Sequence, residues 1–354
     1  MDWLLLLSAG FLLGIGLLAL WSASEVQVDH EHFKKQLIWI AVSLPVLFMF
    51  LWVDPRIWGY FSRVVYALSL LLLILVLVPG IGKELSGAQR WIDLGPLQFQ
   101  PSEAAKLLLV LTLADFFARR HRTLRTPSGM SLSLLHVLPF FVLVFLQPDL
   151  GTSIIFICIW FGLSFVAGQR LAYMAAVSLA MILTFGAAWN FGVFEEYQKE
   201  RLTALISGEG SYHSEMSIRS VASGQSLGQG FGQGAMTEAR LVPEQTTDFI
   251  FAAIAEEGGF VGSALIVGAF ALFLWRVWTA VVEANVRVFR YMAAGIFVVF
   301  SFHILVNLLM VVGLLPIVGV PLTFMSYGGS AMVLNMAMLG LLLNLRARET
   351  RLVF

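Results

Sequence analysis

Ten apolar stretches, separated by short polar segments, constrain this chain of 354 residues more than any other feature. They cover 3–21, 36–53, 64–78, 104–117, 132–146, 152–166, 171–191, 249–282, 288–315 and 331–345. A helix crosses a hydrocarbon layer about 30 Å thick with about 20 apolar residues, and with fewer where neighbouring protein covers its ends. Backbone groups find no water in that layer, and a helix satisfies them within one segment. The pattern therefore predicts an all-α integral membrane protein. It has about ten transmembrane helices in a single polytopic domain, 1–354, and a long loop, 192–247, between the seventh and eighth. Composition agrees: 59% of residues are hydrophobic and 12% charged, about half the charged share of a soluble domain. The first stretch lacks the basic n-region of a signal peptide and is longer than the usual h-region, so it reads as a retained helix. Cys158 is the only cysteine, which rules out an internal disulfide. The formal charge of zero speaks against a nucleic-acid partner.

Arginine fixes the expected orientation, because Lys and Arg concentrate in cytoplasmic loops. The even-numbered connections carry Arg56, Arg63, Arg119, Arg120, Arg122, Arg125, Arg170, Arg276, Arg287 and Arg290, and the C-terminal tail adds Arg346, Arg348 and Arg351. The short odd-numbered ones carry Lys34, Lys35, Lys83 and Arg90. Both termini are expected in the cytoplasm, and the 192–247 loop is expected outside.

On that topology a set of costly charges converges. Ionisable side chains within spans usually face the bundle interior. The fourth helix is expected to open on the outer side at Gln100, Pro101, Ser102 and Glu103. Proline suits a first turn, and a carboxylate there complements the helix dipole. Lys106 follows at i+3 on the same face, where its charge opposes the dipole. The fifth helix ends at Gln147, Pro148 and Asp149, and Asp248 opens the eighth. Glu103, Lys106, Asp149 and Asp248 thus share one depth near the outer boundary. Snorkelling interfacial residues are the bland alternative for each alone, and convergence from three segments weighs against it. A structural Lys106–Asp149 ion pair is one arrangement, and it would leave Asp248 as the free carboxylate.

Other polar residues read as structural. Asp115 and Arg119 are spaced for an i,i+4 pair. His303 and Asn307 share a helix face and suit interhelical hydrogen bonding better than a metal. One of Glu256 and Glu257 is expected to face the bundle. The glycine-rich run 228–234 has no preceding strand and no dinucleotide fingerprint, so it is expected to be a flexible part of the outer loop. Phe194, Tyr197, Arg201, Leu202, Leu205 and Ile206 recur at helical spacing, which suggests a short interfacial helix. The uncharged, Gly- and Pro-containing stretch 313–330 must be buried in protein or line a cavity if it lies at membrane depth, so a partly re-entrant segment is expected. No metal-ligand spacing stands out.

Four segments carry a resemblance that extends over essentially the whole chain. They are GAQRWI (87–92) followed by FQPSEAAK (99–106), QPDLGT (147–152), PEQTTDFIFAAIAEE (243–257) and LPIVGVPLTFMSYGGSAM (315–332). In this order on ten helices the sequence resembles the SEDS family, the RodA/FtsW type of cell-wall polymerase. The Gly-Val-Pro and Gly-Gly-Ser-Ala-Met details favour the RodA (elongation) branch over the FtsW (division) branch. There are departures: Thr247 stands where the family usually has His, and Gly258-Gly259 where Leu-Gly is common. Met216 and Met236 replace usual glutamines, and 221–224 reads Val-Ala-Ser-Gly in place of Ile-Gly-Ser-Gly. Fine details of substrate contact are where these differences bear.

The resemblance implies a peptidoglycan glycosyltransferase of the bacterial cytoplasmic membrane, with its active site on the extracytoplasmic face. It would join lipid II units to a nascent glycan strand beside a class B penicillin-binding protein, the partner transpeptidase, among membrane lipids. A sugar hydroxyl needs a base within hydrogen-bond reach, for which Asp248 is the catalytic candidate, supported by Glu103, Lys106 and Asp149. The departing pyrophosphate needs positive charge or a divalent cation. Arg90, Lys106, Arg201 and Arg219 are candidates to meet it, and Gln100 joins the substrate-binding set. No other cofactor is implied. A lipid II flippase would use the same spans, but would need polar residues on both sides of the midplane.

Overall fold

The computed structural model describes residues 2–24, 30–85, 88–93, 95, 98–192 and 212–352, and within them each apolar stretch is a long helix. These are α1 (Trp3–Ser24), α2 (Glu31–Trp52), α4 (Ser62–Leu77), α5 (Pro101–Arg119), α6 (Pro127–Phe145), α7 (Leu150–Val166), α8 (Leu171–Asn190), α11 (Ile250–Glu283), α12 (Arg287–Val311) and α13 (Gly329–Leu352). Short helices α3 (Pro55–Tyr60), α9 (Tyr212–Ser223) and α10 (Ala235–Glu238) lie between them. Seven of the long helices, α1, α2, α6, α8, α11, α12 and α13, are long and apolar enough to cross a membrane, and α4 and α7 are shorter apolar helices. The tenth, α5, carries Glu103, Lys106, Asp115 and Arg119, yet most of its residues are buried. Its neighbours α4, α7, α12 and α13 shield it, so it needs no lipid-facing apolar surface of its own.

Packing centres on α12, which lies against α5, α7 and α11, while α13 pairs with α2 and α1 runs along α11. The periphery differs: α8 touches α7 and exposes Leu171, Leu179, Ile182 and Leu183, as a helix in an apolar solvent can. One end of the bundle is rich in arginine. There Asp2 pairs with Arg276 and Arg346, Arg348 with Asp54 at 2.9 Å, and Arg119 with Asp115 at 2.8 Å. The last is the i,i+4 pair expected from spacing.

The other end carries a small antiparallel sheet in the order β1–β2–β3, with β1 Gly82–Leu85, β2 Ala88–Asp93 and β3 Gln98–Phe99. Lys83 lies opposite Trp91, and Ile92 opposite Phe99. Lys83 donates to Asp93 at 2.7 Å, and this bond holds the Asp93 carboxyl below the usual carboxylate range.

Two irregular segments shape this end. As a continuous rod, the 34 residues of α11 would extend roughly 50 Å, well beyond a hydrocarbon core. The helix breaks at Gly259 (φ 63°, ψ −162°), and the glycine-rich run expected to be flexible packs into the break. Gln229 N and Gly230 N donate to the carbonyls of Glu256 and Glu257 at 3.0 and 3.1 Å, while Phe260 N and Val261 N donate to those of Gln225 and Ser226 at 2.8 and 3.1 Å. The freed groups of a broken helix are thus satisfied by a neighbouring strand of backbone, and glycine at 228 is what lets that strand come close. The stretch after α12 is re-entrant, as expected: Phe324 packs on Phe273 of α11 and Phe300 of α12, with ring centroids 5.4 and 5.8 Å apart. The interfacial helix expected around 194–206 falls outside the described residues.

Candidate active site

At the sheet end, β2, the start of α5, the α6–α7 turn, the segment before α11 and the re-entrant stretch enclose a cavity of about 180 Å³. Arg90, Gln100, Glu103, Lys106, Asp149 and Asp248 all line it. Proline at the first turn of α5 sets its start, and the i+3 spacing then puts Lys106 over Glu103. Lys106 is 2% exposed. It donates to Glu103 Oε1 at 2.8 Å and contacts His303 Nε2 at 2.9 Å. An ammonium only donates, so the ring accepts at Nε2 as a neutral imidazole with its proton on Nδ1. Glu103 Oε2 is buried and meets no donor among the described residues. Glu103 itself is among the residues that line the cavity.

Asp149 caps α7. Its Oδ1 accepts from Thr152 N at 3.0 Å, and Oδ2 accepts from Gln100 Nε2 at 3.3 Å and lies 3.5 Å from an Arg90 guanidinium nitrogen. The expected Lys106–Asp149 pair does not form. Lys106 is taken by Glu103, one turn away on its own helix, and the sheet swings Arg90 over Asp149 instead. The Arg90 Nε is buried and meets no acceptor among the described residues.

Asp248 sits half-buried at the cavity wall. Its main chain is tightly held: Asn307 Nδ2 donates to Asp248 O at 2.7 Å and to Val320 O at 2.8 Å. Ser326 Oγ donates to Thr247 O, and Tyr327 N to Thr246 O at 2.9 Å. One amide therefore ties the Asp248 segment to the re-entrant stretch, while the carboxylate faces the cavity. His303 makes the interhelical contact its spacing suggested, whereas Asn307 bonds the backbone of two non-helical segments instead.

One expected binding residue is not brought here. Arg219 lies on α9, exposed, paired with Glu215 at 2.5 Å, and does not line the cavity. Arg201 lies outside the described residues. Both Glu256 and Glu257 are buried, where only one was expected to face inward. Glu256 accepts from Met236 N, Thr237 N, Thr237 Oγ1 and Ser220 Oγ at 2.8, 3.0, 2.7 and 3.2 Å, which fastens α9 and α10 to α11, and Glu257 accepts from Ser22 of α1. No group of three or more His, Cys, Asp or Glu that could hold a metal occurs among the described residues.

The family described as Cell cycle protein, the FtsW, RodA and SpoVE group, matches residues 2–351. The chain belongs to the FtsW/RodA/SpoVE family. It is 34% identical to peptidoglycan glycosyltransferase MrdB of Escherichia coli over 345 residues, which cover 95% of this chain and 90% of that one. It is 32% identical to Stage V sporulation protein E of Bacillus subtilis over 356 residues, covering 97% and 96%. Among solved structures, the rod shape determining protein RodA of Thermus thermophilus matches with a TM-score of 0.74 at 29% identity, covering 98% of this chain and 97% of that one. A chain from a peptidoglycan synthase complex, solved for the coordination of polymerization and crosslinking, matches with a TM-score of 0.86 at 30% identity, covering 98% of each.

This member of the FtsW/RodA/SpoVE family is a multi-pass membrane protein whose cavity depends on parts that apolar patterning does not reveal. Gln100 N donates to Ser330 Oγ at 2.9 Å, and Gln36 Nε2 to Ser326 O at 3.1 Å, so Ser326 and Ser330 pin the re-entrant stretch to α2 and α5. The uncharged Ser-Tyr-Gly-Gly-Ser at 326–330 was the available signal, since hydroxyls and glycines there serve tight backbone contacts. The sheet had a signal too, in two short runs flanking Ser86-Gly87, which is a hairpin pattern.

Proposed function

We propose that this chain polymerises lipid II into glycan strands on the extracytoplasmic face of the cytoplasmic membrane, in the elongation role. The observation that carries the reading is the convergence of charged side chains on one cavity at the sheet end. It joins a half-buried carboxylate, Asp248, to a buried set of two carboxylates, a lysine and an arginine. In the proposed reaction the 4-hydroxyl of an acceptor GlcNAc attacks the anomeric carbon of a lipid-linked MurNAc. The bond from that carbon to the pyrophosphate oxygen breaks, the hydroxyl proton passes to Asp248, and undecaprenyl pyrophosphate leaves. Arg90 and Lys106 lie where positive charge can meet the developing negative charge. Glu103 and Gln100, which line the cavity, would hold sugar hydroxyls. The elongation role rests on the Gly-Val-Pro and Gly-Gly-Ser-Ala-Met details. A class B penicillin-binding protein is the proposed partner, in keeping with the synthase complex among the similar structures.

Burial of charge supports a polymerase over a flippase. Among the described residues, the buried Asp, Glu, Lys and His side chains are Asp2, Glu103, Lys106, Asp149, Glu256, Glu257 and His303. Asp2 sits in the ion pairs of the arginine end, and the others gather at the sheet end. A headgroup crossing the membrane would need such groups between the two ends.

The test is glycan formation from lipid II by purified protein, with and without the transpeptidase. Asp248→Asn keeps size and removes basicity, so polymerisation should fall by roughly 10² to 10⁴ fold, the span of a general base, with the melting temperature unchanged. Chains at the normal rate would refute the assignment and make Glu103 the leading carboxylate.

A further inference from the structure

At the arginine end, far from the proposed active site, the end of α5 and the start of α6 form an open groove of about 520 Å³. It is lined by Arg119, Arg120, His121, Arg122, Ser128 and Leu132, among others, and no carboxylate lines it among the described residues. Its cations differ in commitment. Arg119 is bound to Asp115 through two hydrogen bonds and donates to Gly59 O at 2.9 Å. Arg120 lies over the Phe116 ring at 4.9 Å and makes no ion pair among the described residues. Arg122 makes no ion pair among the described residues. His121 donates from Nδ1 to Ala118 O and accepts from Arg287 at Nε2, both at 3.2 Å, which brings a further guanidinium to the edge of the groove. Ser128 stands in the first turn of α6, where the helix dipole favours an anion.

The wall above the groove is apolar. Leu132 lines the groove, and Leu135, Leu138 and Val142 continue up the same face of α6, all exposed. In a multi-pass membrane protein that face meets acyl chains. We propose that the groove binds the phosphate headgroup of an anionic phospholipid, with Arg120 and Arg122 as the main donors and the acyl chains along the α6 stripe. The basic groove and the apolar stripe are continuous, which suits a lipid rather than a soluble anion.

The experiment uses the purified full chain in neutral detergent and reads bound lipid by native mass spectrometry. Phosphatidylglycerol and phosphatidylcholine of the same chain length are the probes. Phosphatidylglycerol should be retained in preference, and Arg120→Gln/Arg122→Gln should weaken its binding by roughly five-fold per arginine. Arg56→Gln, at the same end but outside the groove, should leave binding intact. Equal retention of the two lipids, or an equal loss in Arg56→Gln, would overturn the proposal in favour of diffuse charge. Displacement of the lipid by millimolar inorganic phosphate would overturn it in favour of a soluble-anion site.

Discussion

Lys106 is held between Glu103 and His303 with almost no exposure, and that arrangement separates a structural role from a chemical one. Removing the cation leaves the Glu103 carboxylate buried and unmatched, which costs about 3–5 kcal/mol where a pair is broken. Lys106→Met should therefore lower thermal stability strongly. Glu103→Gln added to it removes the stranded charge and should recover most of that loss, because residues in direct contact are not additive. Polymerisation should stay absent in both variants if the ammonium serves the departing pyrophosphate. Lys106→Met combined with Asp149→Asn should be close to additive, since Asp149 is paired with Arg90 and Gln100. Melting curves of the two double-mutant cycles, Lys106 with Glu103 and Lys106 with Asp149, give the answer. Strong coupling between Lys106 and Asp149, with none between Lys106 and Glu103, would contradict the observed pairing.

At the scale of elements, the break in α11 and the glycine run that fills it act as one unit. A Cβ on Gly228 would stand 2.0 Å from Glu257 O, and its φ of +81° is strained for any other residue. Gly258, one residue before the break, is helical and a Cβ there meets nothing within 4 Å. Gly228→Ala should therefore destabilise by more than about 1 kcal/mol, and Gly258→Ala should be neutral or stabilising by up to about 1 kcal/mol. Equal melting temperatures for the two variants would remove the basis for this unit. The contrast also shows what the sequence could convey. Ten helices were legible because each is a long apolar run whose backbone must satisfy itself. The filling of the α11 break was not, because glycine-rich polar sequence is equally compatible with a flexible loop and with a backbone strand pressed against another. Only the neighbour decides, and the neighbour, 256–261, is itself the distant part of the pattern. The β1–β3 sheet escaped for a related reason: its strands are two to six residues long, too short for periodicity to stand above the spans on either side.

For the molecule as a whole, legibility followed the physics of the lipid environment. Charges inside apolar runs are costly, so Glu103, Lys106, Asp149 and Asp248 stood out and do share one cavity. The partners did not follow, because Arg90 reaches Asp149 through a sheet and Lys106 finds Glu103 within its own helix. Orientation is the whole-molecule statement on which the proposed chemistry rests, since lipid II must meet the cavity outside. The structure separates the two ends, with Arg56, Arg119, Arg276 and Arg346 at one and the cavity at the other. The positive-inside rule then predicts that the arginine end faces the cytoplasm. In a Cys158→Ala background, Leu227→Cys probes the sheet end at a side chain that is 77% exposed, and Arg56→Cys probes the arginine end. A membrane-impermeant maleimide added to intact cells with a permeabilised outer envelope should label position 227 and leave position 56 untouched until the cytoplasmic membrane is opened. The reverse order would place the Asp248 cavity in the cytoplasm, where a glycan strand cannot be laid into the wall, and would leave the proposed polymerase without a site.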